Sequence, residues 1–215
     1  EFNDVPYVYW VKKETLSKIA KFPTIEPSAC QIRVGLQTGD DFRFLRLWWE
    51  TDGTFISGPE TLNCSAGDRQ KTNRNWAWYS KTETASPYLS SIHLVVKWAG
   101  NGSEIKAYHI GNGHSASKYV MSESLYFRPG FSYMLRSSRL VPYVVPRGVI
   151  PSAGRSQVYP ILGNETWVAA LLGSNIATAV ARFRGVNFLG SKFQNSMVAS
   201  VPYREPKDGE NQAAL

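Results

Sequence analysis

Turn-forming residues punctuate the middle of this chain so closely that no helix of ordinary length fits between them. Pro129-Gly130, Pro142, Pro146 and Pro151 all fall within residues 125–161. Proline lacks a backbone donor, so in sheets it is confined to edges, first positions and turns. The apolar runs between these breaks are short, and 125–127, 131–135, 141–145, 148–150 and 158–161 read as strands. The period then changes. Residues 166–172 and 176–183 read as two helices, the first capped by Asn164 and the pair hinged at Gly173-Ser174-Asn175. Earlier, Leu16, Ile19 and Ala20 stand at helical spacing within 12–21, ahead of Pro23. Residues 42–49 alternate apolar and basic side chains and predict a strand, with Trp48 and Trp49 in the core as Trp98 is. His93-Leu-Val-Val-Lys-Trp98, a turn at Gly100-Asn-Gly102 and a return strand over 104–110 predict a hairpin. A last strand is expected over 196–201, and the Gly-, Asn- and Thr-rich residues 53–75 read as a mobile excursion. The fold class is therefore α+β, a strand-rich mixed-sheet region with a few short helices. One domain over 1–204 and a polar tail over 205–215 are expected, with no internal repeat.

No run of 18 apolar residues occurs among the 215, so no transmembrane helix is expected. The start, Glu1-Phe2-Asn3-Asp4, has neither a basic segment nor an apolar one, so it does not read as a secretory signal. The missing initial Met suggests a piece of a longer protein. Cys30 and Cys64 are then expected as reduced thiols in the cytoplasm. With His93, His109 and His114 they offer no metal-ligand spacing, so no metal site is expected.

The charge is unevenly laid out. Residues 1–50 carry seven basic and seven acidic side chains, whereas the chain as a whole has a net charge of +7. Across 124–204 the only acid is Glu165, against Arg128, Arg136, Arg139, Arg147, Arg155, Arg182, Arg184, Lys192 and Arg204. Such a stretch is the footprint of a polyanion-binding face, although a merely solvated basic surface has the same composition. Arginine suits base and phosphate reading through its planar fork. On this reasoning Arg128, Arg136, Arg139, Arg147, Arg155 and Lys192 are candidate DNA contacts. Arg69, Lys71 and Arg74, beside Trp76, Trp78 and Tyr79, combine cations with flat stacking surfaces.

Enzyme constellations are scarce. There is no nucleophile elbow, no phosphate-binding P-loop and no His-Glu-x-x-His. Gly100-x-Gly102 and Gly111-x-Gly113 read as turns rather than as dinucleotide fingerprints. The adjacent carboxylates Asp40 and Asp41 offer two oxygen ligands where a hard cation wants six. Glu104-Ile-Lys106 mimics half of a nuclease core when read on a strand, without an identifiable upstream acid.

Several blocks carry a resemblance. Gly35-Leu-Gln-Thr-Gly-Asp-Asp-Phe-Arg-Phe-Leu-Arg-Leu-Trp-Trp-Glu50 is similar to the most distinctive signature of large bacterial N6-adenine DNA methyltransferases. These belong to restriction–modification and bacteriophage-exclusion systems. Pro6-Tyr-Val-Tyr-Trp-Val11, Ser86-Pro-Tyr88, Val95-Val-Lys-Trp98, Glu104-Ile-Lys106, Tyr126-Phe-Arg-Pro-Gly-Phe131, Ala169-Ala-Leu-Leu-Gly-Ser-Asn175 and 198–202 resemble further family blocks in the same order. The resemblance runs from about residue 6 to residue 202, and 53–75 matches none of its blocks.

It implies a target-recognition region that binds duplex DNA and positions one adenine for methylation. Catalysis and S-adenosylmethionine binding would then belong to a domain outside this chain, which would itself be non-catalytic, monomeric and cofactor-free. Its partners would be double-stranded DNA and the parent's catalytic domain, with no membrane. Within the signature Gln37, Thr38, Asp40, Arg43 and Arg46 are candidates for a DNA-facing turn and strand, and Arg128 is the candidate cation of its block. A purely structural turn, with Gly35 and Gly39 bending the chain and Asp40 capping it, is the competing reading. Three positions apart on a strand, Arg43 and Arg46 would face opposite sides, one toward DNA and the other toward Asp41 or Glu50. A metal-dependent nuclease using Glu104 and Lys106, or a basic protein-interaction module, are the alternative functions.

Overall fold

The strands separate into two four-stranded sheets, each with its own helices. The computed structural model describes residues 11–52, 75–81, 88–183 and 192–207. In chain order these form α1 (Lys13–Ile19), a short α2 (Ile25–Ser28) interrupted at Glu26, β1 (Cys30–Arg33), α3 (Asp41–Phe44), β2 (Leu45–Leu47), β3 (Trp76–Ser80) and β4 (Leu94–Lys97). Then follow α4 (Ala99–Gly111), β5 (Gly130–Tyr133), β6 (Pro142–Val145), β7 (Val149–Pro151), β8 (Gln157–Pro160), α5 (Glu165–Gly173), α6 (Asn175–Phe183) and α7 (Asn195–Ala199). The α+β class and the strands of the proline-punctuated middle hold, apart from the first of them. No helix among the described residues is long and apolar enough to cross a membrane.

The first sheet has the order β1-β8-β5-β6 and is antiparallel throughout, with Ile32 opposite Val158 and Phe131 opposite both Val158 and Val144. β1 alternates inward Cys30 and Ile32 with outward Gln31 and Arg33. Its inner face packs on α2, α5, α6 and α7 through Ile25, Leu172, Ala177, Ala181, Met197 and Val198. The second sheet has the order β2-β4-β3-β7, with β7 parallel to β3. Its core gathers Phe44, Leu45, Ala77, Val96, Trp98, Ile105, Tyr126 and Ile150. β6 and β7 are joined by only Pro146-Arg147-Gly148, so the chain steps directly from one sheet to the other. Tyr143, Val145 and Val149 fill the junction with Trp78 and Ile92 against them. Burying each such side chain is worth roughly 1.5–3 kcal/mol.

Three predicted strands are not strands, and a fourth is one only in part. Residues 104–110 lie in α4, because Gly102, Ile105 and His109 recur at helical spacing and bury one face. The hairpin turn becomes a left-handed lead-in, with φ of +56°, +56° and +68° at Gly100, Asn101 and Gly102, the residue types that tolerate it. Residues 42–49 divide into the α3 turn, β2 and a 3₁₀ turn at Trp48–Glu50. Because β2 is an edge strand, Trp48 and Trp49 stand 47% and 58% exposed, while Trp98 is buried as expected. Of the predicted strand 125–127, Leu125 ends a 3₁₀ turn and Tyr126 and Phe127 continue as turn, while 196–199 of the predicted last strand fall in α7 with Met197 and Val198 buried. Asn164 precedes α5 as predicted, although its side chain makes no cap bond. Cys30 is a free, buried thiol whose pKa burial, and then the charge of Glu26, push up to about 12. Cys64 and the 53–75 excursion, up to residue 74, lie outside the described residues, as does most of the tail.

Gly102 is the tightest point of the α4 lead-in. A Cβ there would stand 2.5 Å from Cζ3 of Trp98 and would force an alanine into a left-handed conformation. Gly102→Ala is expected to cost about 2–4 kcal/mol, from left-handed strain and overpacking together. Gly111 has open space around its Cα. Gly111→Ala should therefore be neutral or stabilising by up to about 1 kcal/mol. Urea unfolding midpoints of the two variants check the contrast.

Candidate functional site

The signature residues 35–50 wrap one end of the second sheet. Leu36 extends that sheet past β7: its N–H donates to Pro151 O at 2.8 Å and its carbonyl accepts from Ala153 N–H at 2.8 Å. A second acceptance, from the Tyr79 hydroxyl at 2.9 Å, ties the same carbonyl to β3. Gln37 N–H donates to Tyr119 O at 2.8 Å. The chain then crosses to the opposite edge and enters β2, which pairs with β4. Gly35 lies flat against the Pro151 carbonyl, where a Cβ would come within 2.0 Å of the oxygen.

The turn between these anchors is over-determined. Thr38 Oγ1 donates to Asp41 Oδ1 at 2.5 Å, Asp40 Oδ1 accepts from Arg43 N–H at 3.1 Å, and Lys81 pairs with the other Asp41 oxygen. Buried His109 holds the turn from below, with Nε2 donating to Thr38 O at 3.0 Å. Its ring stacks on Tyr119 at 3.7 Å and 10°. Gly39, at φ +78°, leaves room for that ring, since a Cβ would stand 2.4 Å from His109 Cε1. The cap role of Asp40 is thus correct, and Thr38 is a buried turn residue (3% exposed) rather than a DNA-facing one.

A cleft of about 900 Å³ opens beside this turn, lined among others by Phe42, Arg46, Glu50, Lys81, His93 and Arg155. A smaller one of about 490 Å³ adjoins it, lined by Gln37, Thr38, Asp40, Lys81, Tyr79 and Gly154. On the larger cleft's rim Phe42 is 95% exposed. Trp48 and Trp49 follow in the adjoining 3₁₀ turn, edge to face at 5.6 Å. Arg46 Nη1 donates to Phe42 O and Leu45 O, both at 2.6 Å. No carboxylate pairs with Arg46 among the described residues. Glu50 is engaged elsewhere, accepting from Leu47 N–H at 2.9 Å.

The other predicted residues fall in separate places. Arg43 does pair with an acid, but with Glu104 at 3.2 Å rather than Asp41 or Glu50, because it sits on a helical turn facing α4. Glu104 also holds Lys97 at 2.7 Å, while Lys106 pairs with Glu123. On a helix, residues two apart diverge by about 200°, so Glu104 and Lys106 do not converge as a strand would make them. Among the described residues no three His, Cys, Asp or Glu side chains form a metal-holding group. Arg128 and Arg147 are exposed and flank paired backbone, Phe127 N–H to Val149 O and Gly148 N–H to Phe127 O. Arg136 and Lys192 face each other across an isolated bridge. Nearby, Arg139 donates to Gly173 O at 3.2 Å and Arg182 to Ser138 O, so these side chains make one basic patch.

Arg155, expected at the surface, is only 8% exposed. The strand β8 that follows it is buried, and its guanidinium turns inward to within 5.8 Å of the Tyr143 ring. Arg69, Lys71 and Arg74 lie outside the described residues. Tyr79 is core, and Trp78 packs at the junction of the sheets rather than offering a stacking face. Phe42, Trp48, Trp49, Lys81 and His93 were not singled out for the site by sequence. The adjacent exposed tryptophans had a visible signal, an apolar pair directly after an edge-length alternating run. No family model and no curated protein sequence matches this chain.

Two carboxylates near the turn titrate low. Burial alone would raise Asp41 from its ordinary 3.8, but hydrogen bonds from Lys81 and Thr38 and the Lys81 charge outweigh it and hold it lower. The Lys97 hydrogen bond, with Arg43 assisting against slight burial, holds Glu104 below its ordinary 4.5. A carboxyl lowered on folding gives stability that is complete above its ordinary value and disappears as pH falls through its lowered one. Unfolding free energy should therefore drop as pH falls below about 4.5, and Asp41→Asn with Glu104→Gln should flatten that drop in parallel urea titrations at pH 7 and about pH 3.

Proposed function

We propose that this chain is a DNA target-recognition domain of the adenine-methyltransferase type, presenting the signature cleft to duplex DNA. The single observation that carries this reading is the Arg46 guanidinium, without a carboxylate partner among the described residues, on the same short segment that exposes the rings of Phe42, Trp48 and Trp49. The combination suits a polyanion with flat bases. The cation meets phosphate or guanine, and the rings meet sugar or an unstacked base. Two nearby acids are already paired with cations, which weakens their repulsion of a phosphate: Asp41 by Lys81 and Glu104 by both Lys97 and Arg43, whereas Glu50 accepts only from the neutral Leu47 N–H. Exposed Arg128, Arg136, Arg139 and Arg147 add sequence-independent attraction over the rest of the surface.

On this reading the turn at residues 36–41 is a rigid support rather than a reading head, and the reading is done by residues 42–49. Methyl transfer and S-adenosylmethionine binding belong to a partner domain of the parent protein, with this chain fixing the duplex beside it. The domain alone then binds in the non-specific range, roughly 10⁻⁴–10⁻⁶ M.

Fluorescence anisotropy with duplex DNA between about 50 and 200 mM salt tests the proposal, with a log–log slope near −0.9 per phosphate contacted. The wild-type chain is expected to show several contacts. Arg46→Ala should lower the slope by about one, and Arg136→Ala should do so independently. Trp49→Ala should weaken binding by about 1–3 kcal/mol with the slope unchanged. No binding at low salt, or slopes indifferent to Arg46, would overturn the reading.

A further inference from the structure

We propose that Arg155 forms the floor of an anion subsite in the cleft, taking one phosphate group with Arg46 at the rim. Guanidinium groups stay charged throughout the accessible pH range, and buried charges in proteins are ordinarily paired. Arg155 breaks that rule. It is only 8% exposed, its Nη1 has no hydrogen-bond partner, and no carboxylate pairs with it among the described residues. The two acids lining the same cleft are already committed, Asp41 to Lys81 and Thr38 and Glu50 to the Leu47 N–H.

The placement of Arg155 is built into the backbone. Ser152 N–H donates to Ser80 O at 3.2 Å, Ala153 N–H to Leu36 O at 2.8 Å and Arg155 N–H to Ser152 O at 3.2 Å. The segment that carries it is thus bound to β3 and to the signature block, and the residue lines a cleft shared with Lys81, His93 and Arg46. At about 900 Å³ the cleft falls within the range of small-molecule sites, roughly 300–1,000 Å³. A planar fork of donors matches a tetrahedral phosphate bidentately. The choice of phosphate over another anion rests on the nucleic-acid reading above. Two sources share that chemistry, a backbone phosphate of duplex DNA and a free nucleotide.

The test is thermal unfolding of the full chain with inorganic phosphate titrated against chloride at constant ionic strength, then with AMP and with a short duplex. A saturable rise in Tm is expected for the wild type, because a ligand of the folded state stabilises it by mass action. Arg155→Met should abolish the rise and, lacking phosphate, melt no lower than the wild type, since it removes an uncompensated buried charge. Arg155→Lys keeps the charge and loses the fork, so it should need at least tenfold more phosphate, and it decides the matter if the methionine variant fails to fold. An AMP shift at lower concentration than phosphate assigns the free nucleotide, whereas a duplex shift that Arg155→Lys reduces, with AMP no better than phosphate, assigns the DNA backbone. No saturable shift with any of the three, or equal shifts in the wild type and Arg155→Lys, overturns the subsite. Duplex binding with a full salt slope and a duplex shift in Tm that Arg155→Lys leaves unchanged, with no shift from phosphate or AMP, would sink the subsite and leave the DNA reading standing. A phosphate shift without duplex binding would do the reverse.

Discussion

One residue's backbone sets the geometry of the candidate site. Leu36 adds itself to the edge of the second sheet beside Pro151 and Ala153, and its carbonyl also takes the Tyr79 hydroxyl. The side chain is fully buried in the core of that sheet. From this fixed point the chain has only a few residues in which to reach β2 at the opposite edge. The turn it makes is held by Thr38, Asp40, Asp41, His109 and Lys81 rather than left to fluctuate. Burial, and then the nearby Asp41 charge, raise the Tyr79 phenol well above its ordinary value, so it remains a donor. Loss of the Leu36 anchor would release the turn, the start of β2 and the rim of the cleft together.

The second constraint is how charge is distributed around that turn. Acids are few and each has taken a partner: Asp41 holds Lys81, Glu104 holds Lys97 and Arg43, and Glu123 holds Lys106. The pairs are largely exposed, and individually worth little. Their consequence is electrostatic rather than energetic. Asp41 is paired locally by Lys81, so of the cleft's acids it opposes Arg46 and Arg155 least, within a concave, partly apolar wall where a low dielectric strengthens their fields. A buried guanidinium left without an acid costs several kcal/mol, which places it at the strained end of the structure and makes it a natural seat for function.

Much of the fold was legible in the sequence where local signals were strong. Proline and glycine spacing placed β5, β6, β7 and β8, and the change of period placed α5 and α6. Failures came where a short alternating run is compatible with both periods. Residues 104–110 alternate in a strand-like way, yet Gly102, Ile105 and His109 also mark one helical face, and burial against Trp98 and Phe44 decided for the helix. The same ambiguity turned 42–49 into three short pieces. The cleft was half legible. Gln37, Arg46 and Arg155 line the two clefts, but sequence carried no sign that Thr38 would be buried. Nor did it show that Arg155 would point inward or that Lys81 and His93 would meet them, because those facts depend on pairing between segments far apart in the chain.

The exposure of Trp48 and Trp49 illustrates the limit most clearly. Aromatic residues predicted on strands are usually buried, and Trp98, just past the end of β4, is buried. The rule failed where the strand is an edge and ends in a turn, a property of sheet order that no local pattern records. The central claim is that residues 42–49 form the face that meets DNA. Photo-crosslinking of the chain to a duplex carrying 5-bromodeoxyuridine, with the attached peptides identified by mass spectrometry, tests it most directly. The account predicts adducts on Phe42, Trp48 or Trp49. Adducts confined to the basic patch of Arg136, Arg139 and Lys192, with none in 42–49, would contradict it.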